Sequence, residues 1–300
     1  MATALEKRKL FQAILAGPGG EVSPAAHDVL SAMLIERAGF RVVTIANGPL
    51  AQAHGFGDAG ILTITEQVTH ATRLADAVAV PVIADCEMPG TIPNVARATR
   101  EFERSGVAAI GIEDEAVLGQ SVDGGSSAVP TEVFSDWLKA AVDSRTDPTM
   151  SIIARLEGRR EPYERTVERG LAALEAGADA LWIGHLGSEE MRRIVEDMPK
   201  PMVGVAPAPR VPGAYLALGY KVAVLPASVA KAACWGMETY LRALRASGRD
   251  EEFFDSHPDA REVADWFAAV GAEDVRRALA GSRATSVHEN RVPNRRRNRE

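Results

Sequence analysis

Short apolar runs rich in β-branched residues recur along the chain, separated by segments whose apolar positions have helical spacing. Seven of these runs predict buried strands, at residues 41–46, 80–86, 108–114, 151–157, 180–184, 201–206 and 221–226. An eighth strand is predicted before them, at residues 13–20. Helical periodicity is clear at residues 63–78 and 91–106. Near-continuous apolar strands that alternate with amphipathic helices are typical of a parallel sheet covered by helices.

The number of repeats favours a closed architecture. Eight strand-helix units fit the roughly 250 residues typical of a (β/α)8 barrel. A doubly wound open sheet is the main rival, but no G-x-G-x-x-G follows the first strand. We therefore predict an α/β fold, a (β/α)8 TIM barrel over residues 1–248. We expect a helical appendage over residues 249–282, capping the barrel or a neighbouring subunit, and a flexible basic tail over residues 283–300.

Composition limits which binding partners and which cellular compartment we expect. The formal net charge of -7 gives no basic surface for nucleic acid outside the short C-terminal run. The two cysteines, Cys86 and Cys234, are too far apart in sequence for a CxxC motif, which fits a reducing cytoplasm. No segment has about 18 consecutive apolar residues. We expect a cytoplasmic protein that contacts neither membrane nor nucleic acid.

Acidic residues collect where the predicted strands end. The third strand ends at Asp85 and Glu87, which lie two residues apart and so share one face of an extended chain. The fourth ends at Glu113, and the fifth carries Arg155 and Glu157. Because the active sites of such barrels lie at the carboxyl ends of the strands, these residues are candidates for the site.

Two interpretations of the acids are open. Strand-to-helix loops favour acidic residues simply as helix caps. Alternatively, carboxylates that converge at one mouth need a cation between them, because they would otherwise raise one another's pKa. Oxygen ligands without a His-Cys cluster indicate Mg²⁺, with Mn²⁺ also possible, and Arg155 would then bind a carboxylate substrate.

The sequence also resembles a known family. Residues 81–115, "PVIADCEMPGTIPNVARATREFERSGVAAIGIEDE", are similar to the central signature of the isocitrate lyase and phosphoenolpyruvate mutase superfamily. Residues 26–40, "AHDVLSAMLIERAGF", and residues 216–226, "LALGYKVAVLP", resemble further motifs in the same order. The resemblance covers about residues 11–248 and implies a (β/α)8 barrel that binds Mg²⁺ and acts on 2-oxo or 2-hydroxy acids next to an enolate.

The resemblance also implies roles for individual residues. Asp85 would bind the metal directly, while Asp58, Glu87 and Glu113 would hold its waters. Arg155 would pair with a substrate carboxylate, with Glu113 and His185 as further catalytic candidates. The substrate-binding candidates that it implies are Ala46, Asn47, Gly48, Arg155, Glu157 and Arg210.

Departures from the family's motifs bear on the reaction. The segment after Asp114 has neither the Cys nor the His of the K-[KR]-C-G-H motif of isocitrate and methylisocitrate lyases. It also lacks the E-D-K-x5-N-S motif of phosphonopyruvate enzymes, although Glu157 resembles that branch. Members resembling oxaloacetate decarboxylase lack the cysteine motif as well. The usual D-x-D-x-G-Y-G is here Asp85-Cys86-Glu87-Met88-Pro89-Gly90.

These observations predict a Mg²⁺-dependent lyase that cleaves a C-C bond of a small 2-oxo or 2-hydroxy dicarboxylate through a metal-stabilised enolate. Two alternatives stay open: a phosphonopyruvate hydrolase or mutase that cleaves a P-C bond, and a barrel that binds ligands without turnover. Family members commonly form tetramers in which a helix after the eighth strand crosses to the neighbouring barrel. We therefore expect a helix-swapped homotetramer.

Overall fold

The computed structural model is a closed barrel of eight parallel strands, each hydrogen-bonded to its sequence neighbours, with the eighth pairing with the first. It describes residues 2–87, 90–115, 128–157, 162–184, 186–205, 211–257, 259–272 and 275–276. The strands are β1 (Glu21–Ala26), β2 (Val43–Ile45), β3 (Val82–Cys86), β4 (Ala109–Glu113), β5 (Ser151–Glu157), β6 (Ala180–Gly184), β7 (Met202–Val205) and β8 (Val222–Leu225). The predicted fold class is confirmed.

Helices precede the first strand, lie between consecutive strands and follow the last strand. Those of the described chain are α1 (Ala4–Ala16), α2 (Val29–Arg37), α3 (Asn47–Ala53), α4 (Ile64–Ala77), α5 (Ile92–Arg104), α6 (Thr131–Ser144), α7 (Tyr163–Glu175), α8 (Ser188–Asp197), α9 (Pro212–Ala217), α10 (Ser228–Ser247), α11 (Asp250–Asp255) and α12 (Ala260–Ala269). The predicted helices at residues 63–78 and 91–106 correspond to α4 and α5 within one or two residues. Thr63 caps α4 through a reciprocal pair of hydrogen bonds with Glu66.

Alternation along the strands divides the core into two layers. Ile83, Ile153, Trp182 and Val203 belong to the cluster inside the barrel. Cys86 and the alternate strand residues belong to the larger cluster between the sheet and the helices. This alternation matters for the site because it turns Asp85 and Arg155 towards the barrel axis.

The start of the chain differs from the prediction. Residues 13–16, expected as the beginning of the first strand, are instead the last turn of α1, and β1 follows at Glu21–Ala26. A capping box between Thr3 and Glu6 starts α1, and Phe11 lies fully buried in the interior cluster. The apolar face of α1 therefore belongs to a helix that closes the amino-terminal end of the barrel. Strand β1 escaped prediction because Ser23 and Pro24 interrupt its apolar pattern.

The chain divides into two compact units, Met1–Ala233 and Cys234–Glu300, and the division falls within α10. Helices α11 and α12 belong to the second unit. The tail expected at residues 283–300 lies outside the described residues. Within the described part of the chain, no helix is both long enough and apolar enough to cross a membrane.

Candidate active site

An ion-paired arginine lies among acidic residues at the carboxyl ends of β3, β4 and β5. Arg155 Nη1 donates to Asp85 Oδ2 at 2.5 Å, and Arg155 Nη2 lies 3.1 Å from Glu113 Oε1. Both carboxylates are almost fully buried, and the side chain of Arg155 is 17% exposed. Glu113 and Arg155 are direct register partners in the β4–β5 ladder, and that pairing brings their side chains together. Three residues predicted from strand ends thus form one charged group.

Two further acids extend the negative charge at this mouth. Glu87 follows β3 directly, and its backbone N–H donates to Gln67 Oε1 at 3.3 Å. Burial together with the charges of Asp85 and Asp58 raises the pKa of Glu87 to about 7, against the opposing effect of Arg155. Asp58 is exposed. The site therefore carries more negative charge than Arg155 alone offsets.

The segment after β2 approaches Asp58 closely. A Cβ atom at Gly48 would lie 2.6 Å from Asp58 Oδ2, so a side chain at residue 48 would displace that carboxylate. Ala46 and Asn47 precede it and are buried. Neither the amide nitrogen nor the oxygen of Asn47 has a hydrogen-bond partner among the described residues. Because a buried unpaired amide is costly, Asn47 is a candidate for binding a polar ligand.

Trp182 and Gly111 lie beneath the charged group and were not predicted as site residues. The guanidinium carbon of Arg155 lies 5.2 Å from the ring centroid of Trp182, which is 1% exposed. A Cβ atom at Gly111 would lie only 3.2 Å from this ring. No signal in the sequence indicated Trp182, because its place beside Arg155 depends on the register of β5 and β6.

A buried ion pair fixes the chain beside Glu113. Arg169 on α7 donates through Nε and Nη2 to Asp114 Oδ2, at 3.1 and 2.6 Å. Its Nη1 donates to the carbonyl of Val129 at 2.9 Å, and a bridge joins Glu115 to Ala128. These contacts hold together the two chain ends that flank residues 116–127.

Of the remaining predicted site residues, some lie within the described chain and others do not. Glu157 is the last residue of β5, at the same end of the barrel. His185 and Arg210 lie outside the described residues, as do residues 116–127, in which the phosphonopyruvate motif is missing. Cys86 is fully buried in the outer layer, as alternation predicts, and burial raises the pKa of its thiol.

The donor set at the mouth fits a hard divalent cation. Asp85, Glu87, Glu113 and Asp58 offer only carboxylate oxygens, the ligands that Mg²⁺ prefers. Asp85 and Asp58 also contribute to the raised pKa of Glu87, a repulsion that a cation would relieve. Within the described ranges, however, no three Asp, Glu, His or Cys side chains are grouped closely enough to hold a metal as they stand. The guanidinium of Arg155 lies between two of these acids.

In α/β-barrel enzymes the active site lies at the carboxyl-terminal mouth, where this chain has carboxylates and an arginine. A profile of the phosphoenolpyruvate phosphomutase family matches residues 11–245. The chain belongs to the phosphoenolpyruvate mutase and isocitrate lyase superfamily.

Individual relatives agree with this assignment. 2,3-Dimethylmalate lyase of Eubacterium barkeri is 36% identical over 267 residues, covering 85% of this chain and 91% of the relative. Oxaloacetate decarboxylase of Pseudomonas fluorescens (strain SBW25) is 34% identical over 200 residues, covering 65% and 69%. The crystal structure of phosphonopyruvate hydrolase with oxalate and Mg²⁺ superposes with a TM-score of 0.82 at 26% identity, covering 93% of this chain and 99% of that one.

The comparisons confirm the expected enzyme class. The superfamily members that carry lyase names, among them dimethylmalate lyase and methylisocitrate lyase, are carbon-carbon lyases. The superfamily also includes phosphonopyruvate hydrolase.

Proposed function

We propose that this protein is a Mg²⁺-dependent lyase that cleaves a carbon-carbon bond of a small 2-oxo or 2-hydroxy dicarboxylate, with Mn²⁺ as a substitute metal. One observation carries the proposal: Arg155 lies between Asp85 and Glu113 at the carboxyl ends of the strands. This arrangement brings a donor for a substrate carboxylate next to acids suited to a metal.

The proposed roles are those that the resemblance to the superfamily implies, and the contacts of Arg155 with Asp85 and Glu113 support them. Asp85 would hold the metal directly, and Glu87, Glu113 and Asp58 would hold its waters. Arg155 would donate to one carboxylate of the substrate, because a guanidinium matches a carboxylate with two parallel N–H groups. When bound, Mg²⁺ would act as a Lewis acid, stabilising the negative charge that develops on an enolate oxygen.

Residues after β2 would bind the rest of the substrate. The backbone N–H groups of Asn47 and Gly48 lie at the start of α3. The side-chain amide of Asn47 is buried and could donate to a substrate oxygen with no loss of an existing hydrogen bond among the described residues. Because Gly48 has no side chain, the Asp58 carboxylate can lie beside this segment.

Decarboxylation and retro-aldol cleavage both suit this set of residues. Decarboxylation of a 2-oxo dicarboxylate needs a cation, a hydrogen-bond donor to one carboxylate and a proton for the product. Water can supply the proton. The oxaloacetate decarboxylase and 2,3-dimethylmalate lyase relatives support the two versions of the reaction.

A mass-spectrometric screen tests the proposal. The protein would be incubated with oxaloacetate, substituted malates and phosphonopyruvate, with Mg²⁺ and with EDTA. We expect Mg²⁺-dependent release of a 2-oxo acid from one of the dicarboxylates, above the rate with metal alone. Phosphate or phosphoenolpyruvate formed from phosphonopyruvate would instead support the P-C alternative, which the fold similarity to phosphonopyruvate hydrolase favours. Binding of oxalate without turnover of any compound would support a non-catalytic barrel.

The metal assignment has its own test in Asp85→Ala. Loss of this carboxylate should weaken Mn²⁺ binding, measured by electron paramagnetic resonance, by about a hundredfold, since it removes the proposed direct ligand. Asp136→Asn is a control on the exposed side of α6 and should leave Mn²⁺ affinity unchanged. Unchanged affinity in Asp85→Ala would overturn the assignment.

A further inference from the structure

We propose that Trp182 is a positioning residue for Arg155, holding the guanidinium between Asp85 and Glu113 and thereby setting the affinity of the site for carboxylates. The inference rests on the proposed role of Arg155 in carboxylate binding. It adds a residue that neither the motifs nor the acidic pattern indicated.

The first support is the register of the barrel. Arg155 on β5 and Trp182 on β6 are direct partners in the ladder, so both side chains turn inward at one level. The guanidinium carbon lies 5.2 Å from the ring centroid of Trp182. At this distance an indole face attracts a cation.

The second support is the space that Gly111 leaves. Gly111 on β4 is the register partner of both Asp85 on β3 and Ile153 on β5. A Cβ atom there would lie 3.2 Å from Cε3 of Trp182 and 3.8 Å from Oδ1 of Asp85. The indole therefore extends from β6 to β4, passes beneath Arg155 and reaches the neighbourhood of Asp85.

The third support is the contrast with another buried tryptophan. Trp137 on α6 is 4% exposed and packs in the outer layer of the core, as expected of a structural residue. Trp182 instead carries a guanidinium over its face, and its Nε1 has no hydrogen-bond partner in the described part of the chain. An indole used only to fill the barrel would not need to lie against a cation.

The ring limits where the guanidinium can lie. Arg155 has a long side chain with many rotamers, and two carboxylates hold it at its edges. A flat aromatic surface below it excludes the rotamers that would let it sink into the barrel. The donors thus stay at the level where a substrate carboxylate would enter.

The test compares oxalate binding, by calorimetry with Mg²⁺ present, in the full-length wild type and in Trp182→Leu, Trp182→Phe and Trp137→Leu. We expect Trp182→Leu to weaken oxalate binding about tenfold through loss of the aromatic face. Trp182→Phe should stay within about threefold of wild type, since it keeps an aromatic ring. Trp137→Leu should lower the melting temperature but leave oxalate affinity unchanged.

Arg155→Gln shows whether the effect of Trp182→Leu on oxalate affinity acts through Arg155 or through a general change in the structure of the site. If Trp182 acts through Arg155, adding Trp182→Leu to Arg155→Gln should cause no further loss of oxalate affinity. An undiminished further loss, or wild-type affinity in a folded Trp182→Leu protein, would overturn the inference. If Trp182→Leu does not fold, Gly111→Ala replaces it, because its Cβ would lie 3.2 Å from Cε3 of the ring and so displace it.

A second readout needs no ligand. The Nε–H resonance of Arg155, assigned by its loss in Arg155→Gln, should show an upfield ring-current shift that Trp182→Phe retains in part and Trp182→Leu abolishes. Absence of this shift in the wild type would overturn the inference. If the wild type shows the shift but binds no oxalate, the proposed function fails while the positioning of Arg155 by Trp182 stands.

Discussion

Arg155 contacts two of the acids proposed to surround a metal, Asp85 and Glu113. Its pairing with Asp85 at 2.5 Å places a positive charge next to the carboxylate proposed to bind the cation. A metal at Asp85 must therefore share that carboxylate with the guanidinium or displace it. The proposed metal binding and carboxylate binding would thus be linked through one side chain.

Arg155→Gln separates the two effects. We expect Mn²⁺ affinity to rise about tenfold, because a competing cation is removed, and oxalate affinity to fall by a similar factor, because its donor is lost. Calorimetric titration of each ligand measures both changes.

Arg145→Gln is the matched control. Arg145 pairs with Asp179 at 2.6 Å near the amino-terminal ends of β5 and β6, away from the mouth. Neither affinity should change in this variant. A fall in Mn²⁺ affinity in Arg155→Gln would contradict the competition and indicate that the guanidinium supports the metal site.

Their place at predicted strand ends was enough to make Asp85, Glu113 and Arg155 site candidates, because the active sites of such barrels lie at the carboxyl ends of the strands. The same criterion could not predict Trp182, which has the pattern of an ordinary apolar strand residue. Its contact with Arg155 depends on the register of β5 and β6. Its ring can extend to β4 only because Gly111 has no side chain there.

At the scale of elements, α1 is the part of the fold least visible in the sequence and among the most firmly anchored. Arg8 is buried and donates through Nε to the carbonyl of Val107 at 3.0 Å and through Nη1 to Asp147 at 2.5 Å. Lys7 donates to the carbonyls of Ala75 and Val78. A helix with its own capping box and these contacts outcompetes the strand that its apolar residues alone suggested.

The anchor of α1 gives a prediction for acid stability. Burial tends to raise the pKa of Asp147, but hydrogen bonds from Thr149 and Arg8 outweigh it and lower the pKa to about 2. Because the unfolded carboxyl, with an ordinary pKa of about 4, takes up its proton first, this stabilisation is present above pH 4 and is lost as the pH falls towards 2.

We therefore expect Asp147→Asn to lower the free energy of unfolding by about 1–2 kcal/mol at neutral pH and to flatten its decline between pH 4 and 2. Urea denaturation across this pH range measures both. Asp136→Asn, at an exposed acid, should reproduce the wild-type curve. Equal slopes in Asp147→Asn and the wild type would show that the Arg8 contact contributes nothing to acid stability.

At the scale of the whole molecule, the fold and family were predictable because they depend on many residues in a fixed order. The substrate was not predictable, because it depends on a few residues. The changes at Glu87 and in the segment after Asp114 remove the motifs that distinguish the branches, and residues 116–127 lie outside the described chain. The relatives include both a decarboxylase and a dimethylmalate lyase, so only a measured reaction will decide between them.

The second compact unit leads to a proposal about assembly. Several of its large apolar side chains are strongly exposed, including Trp235 at 71%, Leu241 at 59% and Phe267 at 60%. Exposed apolar residues concentrated in one unit mark an interaction surface. We propose that they contact other copies of this chain and that the protein is a homotetramer, in which these helices cross between subunits.

Multi-angle light scattering at micromolar concentration should therefore give four times the chain mass of 32.0 kDa. Trp235→Glu combined with Phe267→Glu should shift the mass towards smaller species, because a buried unpaired carboxylate is costly at an apolar interface. Leu171→Glu, at an exposed apolar residue of α7 on the barrel, is the matched control and should leave the mass unchanged. Dissociation by Leu171→Glu but not by the double variant would place the interface on the barrel instead, and a wild-type mass of 32.0 kDa would rule out the assembly.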